Sequence, residues 1–356
     1  MAQHFHAIPV AEVRRETDDA VSVRLAVPEA LRASFAFKPG QHLTLRRVID
    51  GEEQRRSYSL CAGVDDGEWR IGIRELPGGQ FSSWANRELR AGDLIEVMPP
   101  DGAFCLEPDP ARARHVVLIA AGSGITPLLS IAKSVLAREP GSRVSLLYGN
   151  RKLSSVMFRE ALEDLKDAHL GRFALYHVFS REPQEAALFG GRLDAARLER
   201  FLDTLLPPAT IDEIYLCGPS AMLDALAPAL AARGVPEDRI HVERFGTDTL
   251  PPPVRDAAAA SGPEAEVTVI ADGLRRELRL ARHGPSILDA ARAAGLDLPF
   301  SCKSGVCSTC RARLTAGTVA MDRNFALMKS DLAAGFILSC QAHPTSARVC
   351  VDFDDR

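Results

Sequence analysis

Apolar and polar residues alternate in short runs over the first part of the chain, which is the period of half-buried β-strands. The runs are separated by Pro-Gly, Asp-Gly and Gly-Gly turns, and the clearest are Val21–Val27, Leu43–Val48, Trp69–Leu76 and Leu94–Val97. Many short strands joined by tight turns favour a barrel. The pattern therefore predicts a small β-barrel before about Pro110.

The pattern changes at about His115, where continuous apolar runs begin to alternate with helical periods. The predicted strands are Val116–Ala121, Val144–Tyr148, Phe173–Phe179, Ile214–Cys217 and Ile240–Phe245, and the predicted helices are Pro127–Ala137, Met157–Lys166 and Ser220–Ala232. Strands that are apolar throughout and alternate with helices are typical of a parallel sheet covered on both faces. This region is therefore predicted to be an α/β domain.

A Pro- and Ala-rich stretch from Thr249 to Pro263 has little to bury and predicts a linker.

With 356 residues, 46% of them hydrophobic, the chain is long enough for two or three domains. The net charge of −4 gives no general reason to expect nucleic-acid binding. No signal peptide or membrane-spanning run is visible, so we expect a cytoplasmic protein that binds no membrane.

Four cysteines after the linker carry the strongest chemical signal. Cys302, Cys307 and Cys310 follow the C-x4-C-x2-C spacing, and Cys340 lies further on. This is the plant-type [2Fe–2S] pattern, so all four are predicted iron ligands. A zinc site usually pairs two C-x2-C units, and a disulfide framework needs an oxidising compartment. A [2Fe–2S] cluster transfers one electron at a time, so the chain is predicted to pass electrons to a partner.

Two motifs in the predicted barrel suit an extended phosphate-bearing ligand. In Arg56-Ser57-Tyr58-Ser59 the arginine can pair with a pyrophosphate, the tyrosine can pack on a ring, and the last serine can reach a ring nitrogen. An ordinary surface strand remains the alternative. Gly79 and Ser82 stand at a predicted helix start, where free N–H groups can bind a phosphate oxygen.

The segment Gly122-Ser-Gly124-Ile-Thr126-Pro127 follows a predicted strand and opens a helix, the position at which a backbone can approach a pyrophosphate. Pro127 stands where the usual dinucleotide fingerprint has its third glycine, which weakens a dehydrogenase interpretation. Proline nevertheless suits the first helical turn.

The ends of the next strands indicate which nicotinamide cofactor binds. No acidic residue follows the second strand, whereas Arg181 and Arg192 follow the third. An acid would bind the ribose hydroxyl of NADH, so cations favour the 2′-phosphate of NADPH. The alternative is that both arginines are solvated surface residues.

The segment Cys217-Gly218-Pro219-Ser-Ala-Met222 ends a strand and starts a helix. It falls at the sheet edge where ligands bind, so Cys217 is placed beside the nicotinamide. A plain buried thiol is the alternative.

Taken in order, these motifs resemble the ferredoxin–NADP⁺ reductase superfamily. With its C-terminal cluster domain, the chain is similar to the single-chain reductase components of bacterial oxygenases. The segments Arg-Ser-Tyr-Ser-Leu-Cys, Tyr-Gly-Asn-Arg and Phe-Ser-Arg-Glu-Pro most resemble the reductase subunits of phenylacetyl-CoA epoxidases. The resemblance implies three domains and a linker: a six-stranded antiparallel FAD-binding β-barrel (1–108), a parallel-sheet α/β NADP-binding domain (112–247), a linker (248–263) and a β-grasp α+β ferredoxin domain (264–356).

The resemblance also implies roles for particular residues. Ser59 and Cys217 would lie at the hydride-transfer position. Contacts with FAD are expected from Arg56, Tyr58, Ser59, Gly79, Phe81, Ser82 and Phe245. FMN in place of FAD remains an open alternative. Contacts with NADPH are expected from Gly122, Gly124, Thr126, Arg181, Arg192, Cys217, Gly218 and Met222.

These roles predict a reductase that moves electrons from NADPH through FAD and the cluster to the di-iron oxygenase of a phenylacetyl-CoA epoxidase. A Rieske ring- or steroid-hydroxylating oxygenase is the first alternative partner, and a redox-sensing module is the second alternative. The cluster domain has 12 Lys and Arg against 11 Asp and Glu. Docking is therefore expected to depend on local contacts that include Lys303 and Arg311, with little long-range steering.

Overall fold

The computed structural model describes residues 4–246, 263–282 and 284–355. Its first part is a six-stranded antiparallel sheet with the order β4-β3-β6-β1-β2-β5. The elements are β1 (His6–Thr17), β2 (Ala20–Leu25), β3 (His42–Ile49), β4 (Glu52–Ser59), β5 (Trp69–Arg74), α1 (Gln80–Arg87) and β6 (Leu94–Val97). The predicted six-stranded barrel is confirmed, and its apolar core includes Ile8, Val23 and Leu45.

Two barrel strands were not among the predicted runs. In β1 a polar stretch, Glu-Val-Arg-Arg-Glu-Thr, follows the apolar start. In β4 nearly every residue is polar, Glu-Glu-Gln-Arg-Arg-Ser-Tyr-Ser. β4 ends the strand order, so it pairs along one side with β3 only. A strand that is polar along its whole length has no apolar face to reveal it.

The second part is a five-stranded parallel sheet with the order β11-β10-β7-β8-β9. Its elements are β7 (His115–Ala121), α2 (Ile125–Arg138), β8 (Arg143–Asn150), α3 (Arg159–Ala168), β9 (Phe173–Phe179), α4 (Ala195–Thr204), β10 (Glu213–Cys217), α5 (Ser220–Ala232) and β11 (Ile240–Glu243). Alternate residues of β7 enter two separate apolar cores, one on each face of the sheet. The predicted α/β sheet is confirmed, although α4 was missed.

The strand order reverses between β7 and β10, which places a crevice at the carboxyl ends of these two strands. The predicted phosphate loop follows β7, and Cys217 ends β10. The fold therefore brings the two predicted nucleotide motifs to one edge of the sheet.

The third part is a mixed five-stranded sheet, order β13-β12-β18-β14-β16, with a two-stranded sheet of β15 and β17. Its elements are β12 (Glu264–Ala271), β13 (Leu274–Ala281), α6 (Ile287–Ala293), β14 (Arg311–Ala316), β15 (Val319–Met321), α7 (Lys329–Ala333), β16 (Phe336–Leu338), β17 (Ala342–Pro344) and β18 (Arg348–Asp352). The apolar face of α6 packs into the core of this sheet through Ile287 and Leu288. The expected ferredoxin-like α+β domain is confirmed.

The predicted linker, 248–263, lies outside the described residues except for Pro263. Across the described ranges, no helix is both long enough and apolar enough to cross a membrane.

Candidate redox site

The side chains of strand β4 alternate between two faces of the strand, and each face makes its own set of contacts. Arg55 and Ser57 point to one side, where Arg55 Nη2 lies 2.7 Å from Asp297 Oδ1 and the Ser57 hydroxyl donates to Ser301 at 2.9 Å. Tyr58 points to the opposite side, towards Phe81. Since successive side chains of a strand face opposite ways, Arg56 and Tyr58 share one face of β4, and the contacts of Arg55 and Ser57 with the cluster domain are on the other.

The predicted flavin residues gather around Tyr58. Its ring centroid is 5.7 Å from that of Phe81, which in turn makes an edge contact with Trp84 at 5.5 Å. Burial raises the pKa of Tyr58, so the phenol stays protonated at neutral pH. Arg56 is exposed, and its guanidinium donates to the Arg55 carbonyl at 2.7 Å. An aromatic face beside an exposed cation suits a ring system with a pyrophosphate tail.

The turn before α1 differs in detail from the expectation. The Ser82 hydroxyl accepts a hydrogen bond from the Leu76 N–H at 3.1 Å and donates to the Gly79 carbonyl at 3.2 Å. It therefore closes the turn and is not directed outward. Phe81 is only 1% exposed and supports Tyr58 from the barrel core. Binding of a phosphate by the backbone N–H groups of the first turn of α1 stays a prediction.

A buried carboxyl group joins the barrel to the nucleotide domain. The side chain of Glu243, the last residue of β11, lies close to the Ser59 side chain at the end of β4. The Cys217 thiol at the end of β10 lies 3.9 Å from Glu243 Oε2. Both residues that were expected at the hydride-transfer position thus converge on one acid.

Burial raises the pKa of Glu243 to about 8, although the neighbouring Ser59 and Cys217 side chains oppose the shift. Burial also raises the pKa of the Cys217 thiol, so this group is a neutral donor and not a thiolate. The protonated form of Glu243 is therefore favoured near neutral pH.

The phosphate loop is held by close backbone packing. A Cβ on Gly124 would lie 2.1 Å from the Cys217 carbonyl oxygen, so only glycine allows the start of α2 to approach the end of β10. The Tyr148 hydroxyl donates to the Gly122 carbonyl at 2.9 Å, and the Thr126 hydroxyl donates to the Ser123 carbonyl at 3.0 Å. Thr126 is buried and stabilises the loop from behind.

The turn after β10 is equally close. A Cβ on Gly218 would lie 2.6 Å from the Met222 terminal methyl, so the Met222 side chain folds back over this turn. The two crevice turns thus lie together with little side-chain bulk between them, as a dinucleotide backbone requires.

Arg181 and Arg192 are brought to the same sheet edge. The Gly191 N–H donates to the Phe179 carbonyl at the end of β9, which fixes the Arg192 segment beside that strand. Both arginines are exposed, and within the described part of the chain neither side chain forms an ion pair. Two unpaired cations at this edge fit an anionic group of a bound nucleotide.

Phe245 follows Glu243 by two residues and is 45% exposed. Because Glu243 lies close to Ser59, this end of β11 adjoins β4, and the contact of Phe245 with the flavin stays a prediction.

The four predicted iron ligands form two pairs. The Cys302 side chain lies beside that of Cys307, and the Cys310 side chain lies beside that of Cys340. In the described ranges no three His, Cys, Asp or Glu side chains surround one ion-sized point. Two pairs of thiols fit a dinuclear cluster in which each iron takes two thiolates.

Groups around the cysteines already point at sulfur. The Ser304 N–H donates to Cys302 Sγ at 3.4 Å, and Gln341 Nε2 donates to Cys340 Sγ at the same distance. Gly305 has a φ of 80°, and an added Cβ would lie 3.1 Å from the Arg323 carbonyl. The loop therefore needs glycine here to wrap tightly around the site.

The cluster domain contacts the barrel through a largely polar interface. Arg55 is only 4% exposed, and besides Asp297 it donates to the Leu298 carbonyl at 3.2 Å. The Phe300 ring lies between the guanidinium groups of Arg55 and Arg292, at 4.2 and 4.1 Å. These contacts bring the cluster loop against the outer face of β3 and β4.

Sequence reasoning missed Glu243 and the Arg55–Asp297 pair. Glu243 carried a usable signal, since it is an acid at the end of an apolar parallel strand. Asp297 carried none, because its partner is 242 residues away in the chain. The two residues expected to contact a partner, Lys303 and Arg311, are paired with Asp289 and Asp331 at 2.7 and 3.3 Å.

This geometry defines a class of protein: a pyridine-nucleotide-linked flavoprotein that also carries an iron–sulfur cluster. The chain matches the oxidoreductase FAD-binding domain over residues 7–105, the oxidoreductase NAD-binding domain over 118–227 and the 2Fe-2S iron-sulfur cluster binding domain over 269–345. The cofactors are therefore FAD, NAD(P)H and a [2Fe–2S] cluster, and the expectation of FAD is confirmed.

Relatives extend over the whole chain. It is 44% identical to a subunit of 1,2-phenylacetyl-CoA epoxidase from Escherichia coli K12, over 98% of each chain. It is 35% identical to the ferredoxin reductase component of 3-ketosteroid-9-alpha-monooxygenase from Mycobacterium tuberculosis H37Rv, over 100% of this chain and 98% of the other. The fold matches phthalate dioxygenase reductase with a TM-score of 0.57 over 98% of both chains, at 24% identity.

The chain belongs to the family of FAD-, NAD(P)H- and [2Fe–2S]-dependent reductase components of oxygenases. It is an electron-transfer oxidoreductase, as the motifs predicted.

Proposed function

We propose that this protein supplies electrons from NADPH to the oxygenase component of a phenylacetyl-CoA epoxidase, which we take to be a di-iron enzyme in the cytoplasm. The observation that carries the proposal is the 44% identity to a subunit of such an epoxidase over 98% of both chains. We retain residues 1–108, 112–247 and 264–356 as the three domains, joined by the linker 248–263.

When bound, the flavin accepts a hydride from the nicotinamide and returns electrons one at a time to the cluster. The chain's own residues supply binding and orientation. Arg56 holds the pyrophosphate and Tyr58 packs on the flavin ring, while the Gly122 loop and the N-terminus of α2 receive the nucleotide phosphates. Ser59 and Cys217 are close to the reacting atoms.

Glu243 orients the two domains at this junction. Its side chain links a barrel strand to the nucleotide sheet, so the two domains present their ligands in one fixed relation. Hydride transfer requires such alignment of two bound rings.

Reconstitution tests the choice of partner. The purified reductase is mixed with the oxygenase component of a phenylacetyl-CoA epoxidase, and NADPH consumption is followed with and without phenylacetyl-CoA. We expect substrate-dependent consumption together with epoxide formation. Flavin and cluster reduction without any turnover would reject the partner and leave the reductase assignment intact.

A 3-ketosteroid 9α-monooxygenase is the second candidate partner, supported by 35% identity over the full chain to that system's reductase component. The same assay with that oxygenase and a 3-ketosteroid separates the two candidates, because each oxygenase turns over its own substrate. Higher turnover with the steroid system would favour this second candidate.

A redox sensor is excluded by a simpler measurement. NADPH added without oxygen should rapidly bleach both the flavin and the cluster absorbance of a reductase. Absence of any bleaching would contradict every electron-transfer function at once.

A further inference from the structure

The outer face of β3 touches the cluster loop at a buried hydroxyl pair. Thr44 Oγ1 of the barrel lies 3.3 Å from Thr309 Oγ1, and the two residues are 2% and 1% exposed. Thr309 stands between two predicted iron ligands, Cys307 and Cys310. A barrel residue thus reaches the immediate surroundings of the cluster.

Thr309 makes a second contact, since its side chain interacts with that of Cys307, two residues before it. An iron-bound cysteine has no proton, so the hydroxyl must donate to it. The single proton of Thr309 is then committed to Cys307, and its oxygen is left to accept a hydrogen bond from Thr44. The direction of both Thr309 bonds follows from the cluster ligand. Ser57 Oγ, 3.2 Å from Thr44 Oγ1, is a second acceptor for the Thr44 proton, because the Ser57 hydroxyl donates to Ser301.

We propose that Thr44 is a positioning residue that raises the reduction potential of the cluster by orienting Thr309 towards Cys307. Hydrogen bonds to cluster sulfurs stabilise the more negative, reduced state. A hydroxyl that itself accepts a hydrogen bond is polarised into a stronger donor. The flavin barrel therefore contributes to the redox chemistry of the neighbouring domain, whichever oxygenase receives the electrons.

Other contacts of the same face support this arrangement. His42, two residues before Thr44, is 5% exposed, and its Nε2 has no hydrogen-bond partner among the described residues. Its ring lies near Cys302, another of the predicted iron ligands. Ser57 secures the same interface through Ser301. β3 therefore faces the Cys302–Cys307 pair in particular.

The test is a redox titration of the cluster in the full-length, cofactor-loaded protein, followed by electron paramagnetic resonance. Thr44→Val should shift the midpoint potential to a more negative value, and Thr309→Val should shift it further in the same direction. Thr44→Ser keeps the hydroxyl and should restore the wild-type potential. Since Thr44 acts through Thr309, the double Val variant should match Thr309→Val alone.

A matched control is Thr318→Val in the cluster domain. It removes a hydroxyl from an exposed pair of threonines, in which Thr318 Oγ1 lies 2.6 Å from Thr345 Oγ1. It should leave the potential unchanged. Resonance Raman spectra in H₂O and D₂O report hydrogen bonds to the sulfurs directly, and the isotope shift should diminish in Thr44→Val. If that variant fails to hold its cluster, Thr44→Ala removes the hydroxyl with less bulk.

The proposal is overturned if both hydroxyl-free Thr44 variants keep the wild-type potential and isotope shift. It is equally overturned if the shifts of the Thr44 and Thr309 variants add in the double variant, because Thr44 would then act by another route.

Discussion

At the residue scale, Glu243 is a site residue that the sequence patterns did not identify. Its carboxyl has a pKa of about 8 because it is buried between Ser59 and Cys217. An acid with a raised pKa binds its proton more tightly in the folded than in the unfolded chain. Its contribution to stability is therefore complete below the ordinary carboxyl pKa and is lost as the pH rises through about 8.

We predict that Glu243→Gln removes this pH dependence. Relative to the variant, the wild-type protein should lose thermal stability between about pH 5 and 8, by a few kcal/mol at most, and show no further relative loss above that range. Infrared difference spectra should show a protonated carboxyl band in the wild type that disappears above about pH 8. Exposed Glu237→Gln is the control. Parallel stability curves and an unchanged band would contradict the assignment.

Arg181 gives a second prediction at this scale. Arg181→Ala should weaken NADPH binding about tenfold or more, because charge-assisted contacts with a phosphate contribute roughly 1.5–3 kcal/mol. NADH has no 2′-phosphate and should bind almost as before. Titration calorimetry with both nucleotides measures the difference, and Arg200→Ala, another exposed arginine of this domain, is the control. Equal loss for both nucleotides would refute the 2′-phosphate contact.

At the scale of elements, the periodic spacing of apolar residues predicted the strands that have an apolar face. Phe173–Phe179 and Ser220–Ala232 were predicted to the residue, since both are bounded by turn residues and packed on a continuous core. β4 was not predicted as an alternating run, because its two faces contact a ligand site and another domain. Ser82 and Phe81 show the same limit, since only the fold reveals that the Ser82 hydroxyl closes a turn and that Phe81 is buried in the barrel core.

The alternation of β4 predicts opposite consequences for adjacent arginines. Arg56→Ala should weaken FAD binding about 10- to 100-fold, the loss expected for a charge-assisted contact with pyrophosphate. Arg55→Ala should leave FAD binding unchanged and slow electron transfer from flavin to cluster, because it removes the contacts with Asp297 and Leu298. Flavin dialysis and stopped-flow absorbance separate the two effects.

Each of these variants is the matched control for the other. Asp355→Ala, which removes the exposed partner of Arg313 in the cluster domain, should change neither measurement. If Arg55→Ala released FAD as readily as Arg56→Ala, the division of β4 into two functional faces would be wrong.

At the scale of the whole molecule, the order of domains and cofactors was readable from motifs because each motif is local in the chain. The way in which the cluster domain packs on the barrel could not be predicted from these motifs. It depends on pairs such as Arg55–Asp297 and Thr44–Thr309, whose members are more than 200 residues apart. No single segment contains the information, so only the folded chain reveals which barrel strands face the cluster.

The surface near the cluster gives the last prediction, which concerns the salt dependence of electron delivery. Lys303 and Arg311 are both neutralised by neighbouring acids, and the cluster domain as a whole has 12 basic and 11 acidic residues. A surface without net charge gains little from electrostatic steering. The second-order rate of electron transfer to the oxygenase should therefore fall less than about threefold from low to physiological salt.

Stopped-flow oxidation of the prereduced protein by the oxygenase measures this rate. Asp289→Asn and Asp331→Asn provide the contrast, because each frees a cation beside the cluster loop. They should increase the salt dependence while leaving internal flavin-to-cluster transfer unchanged. A steep salt dependence in the wild type would instead show that charges elsewhere on the molecule guide the partner, and docking through local contacts at the cluster loop would then be rejected.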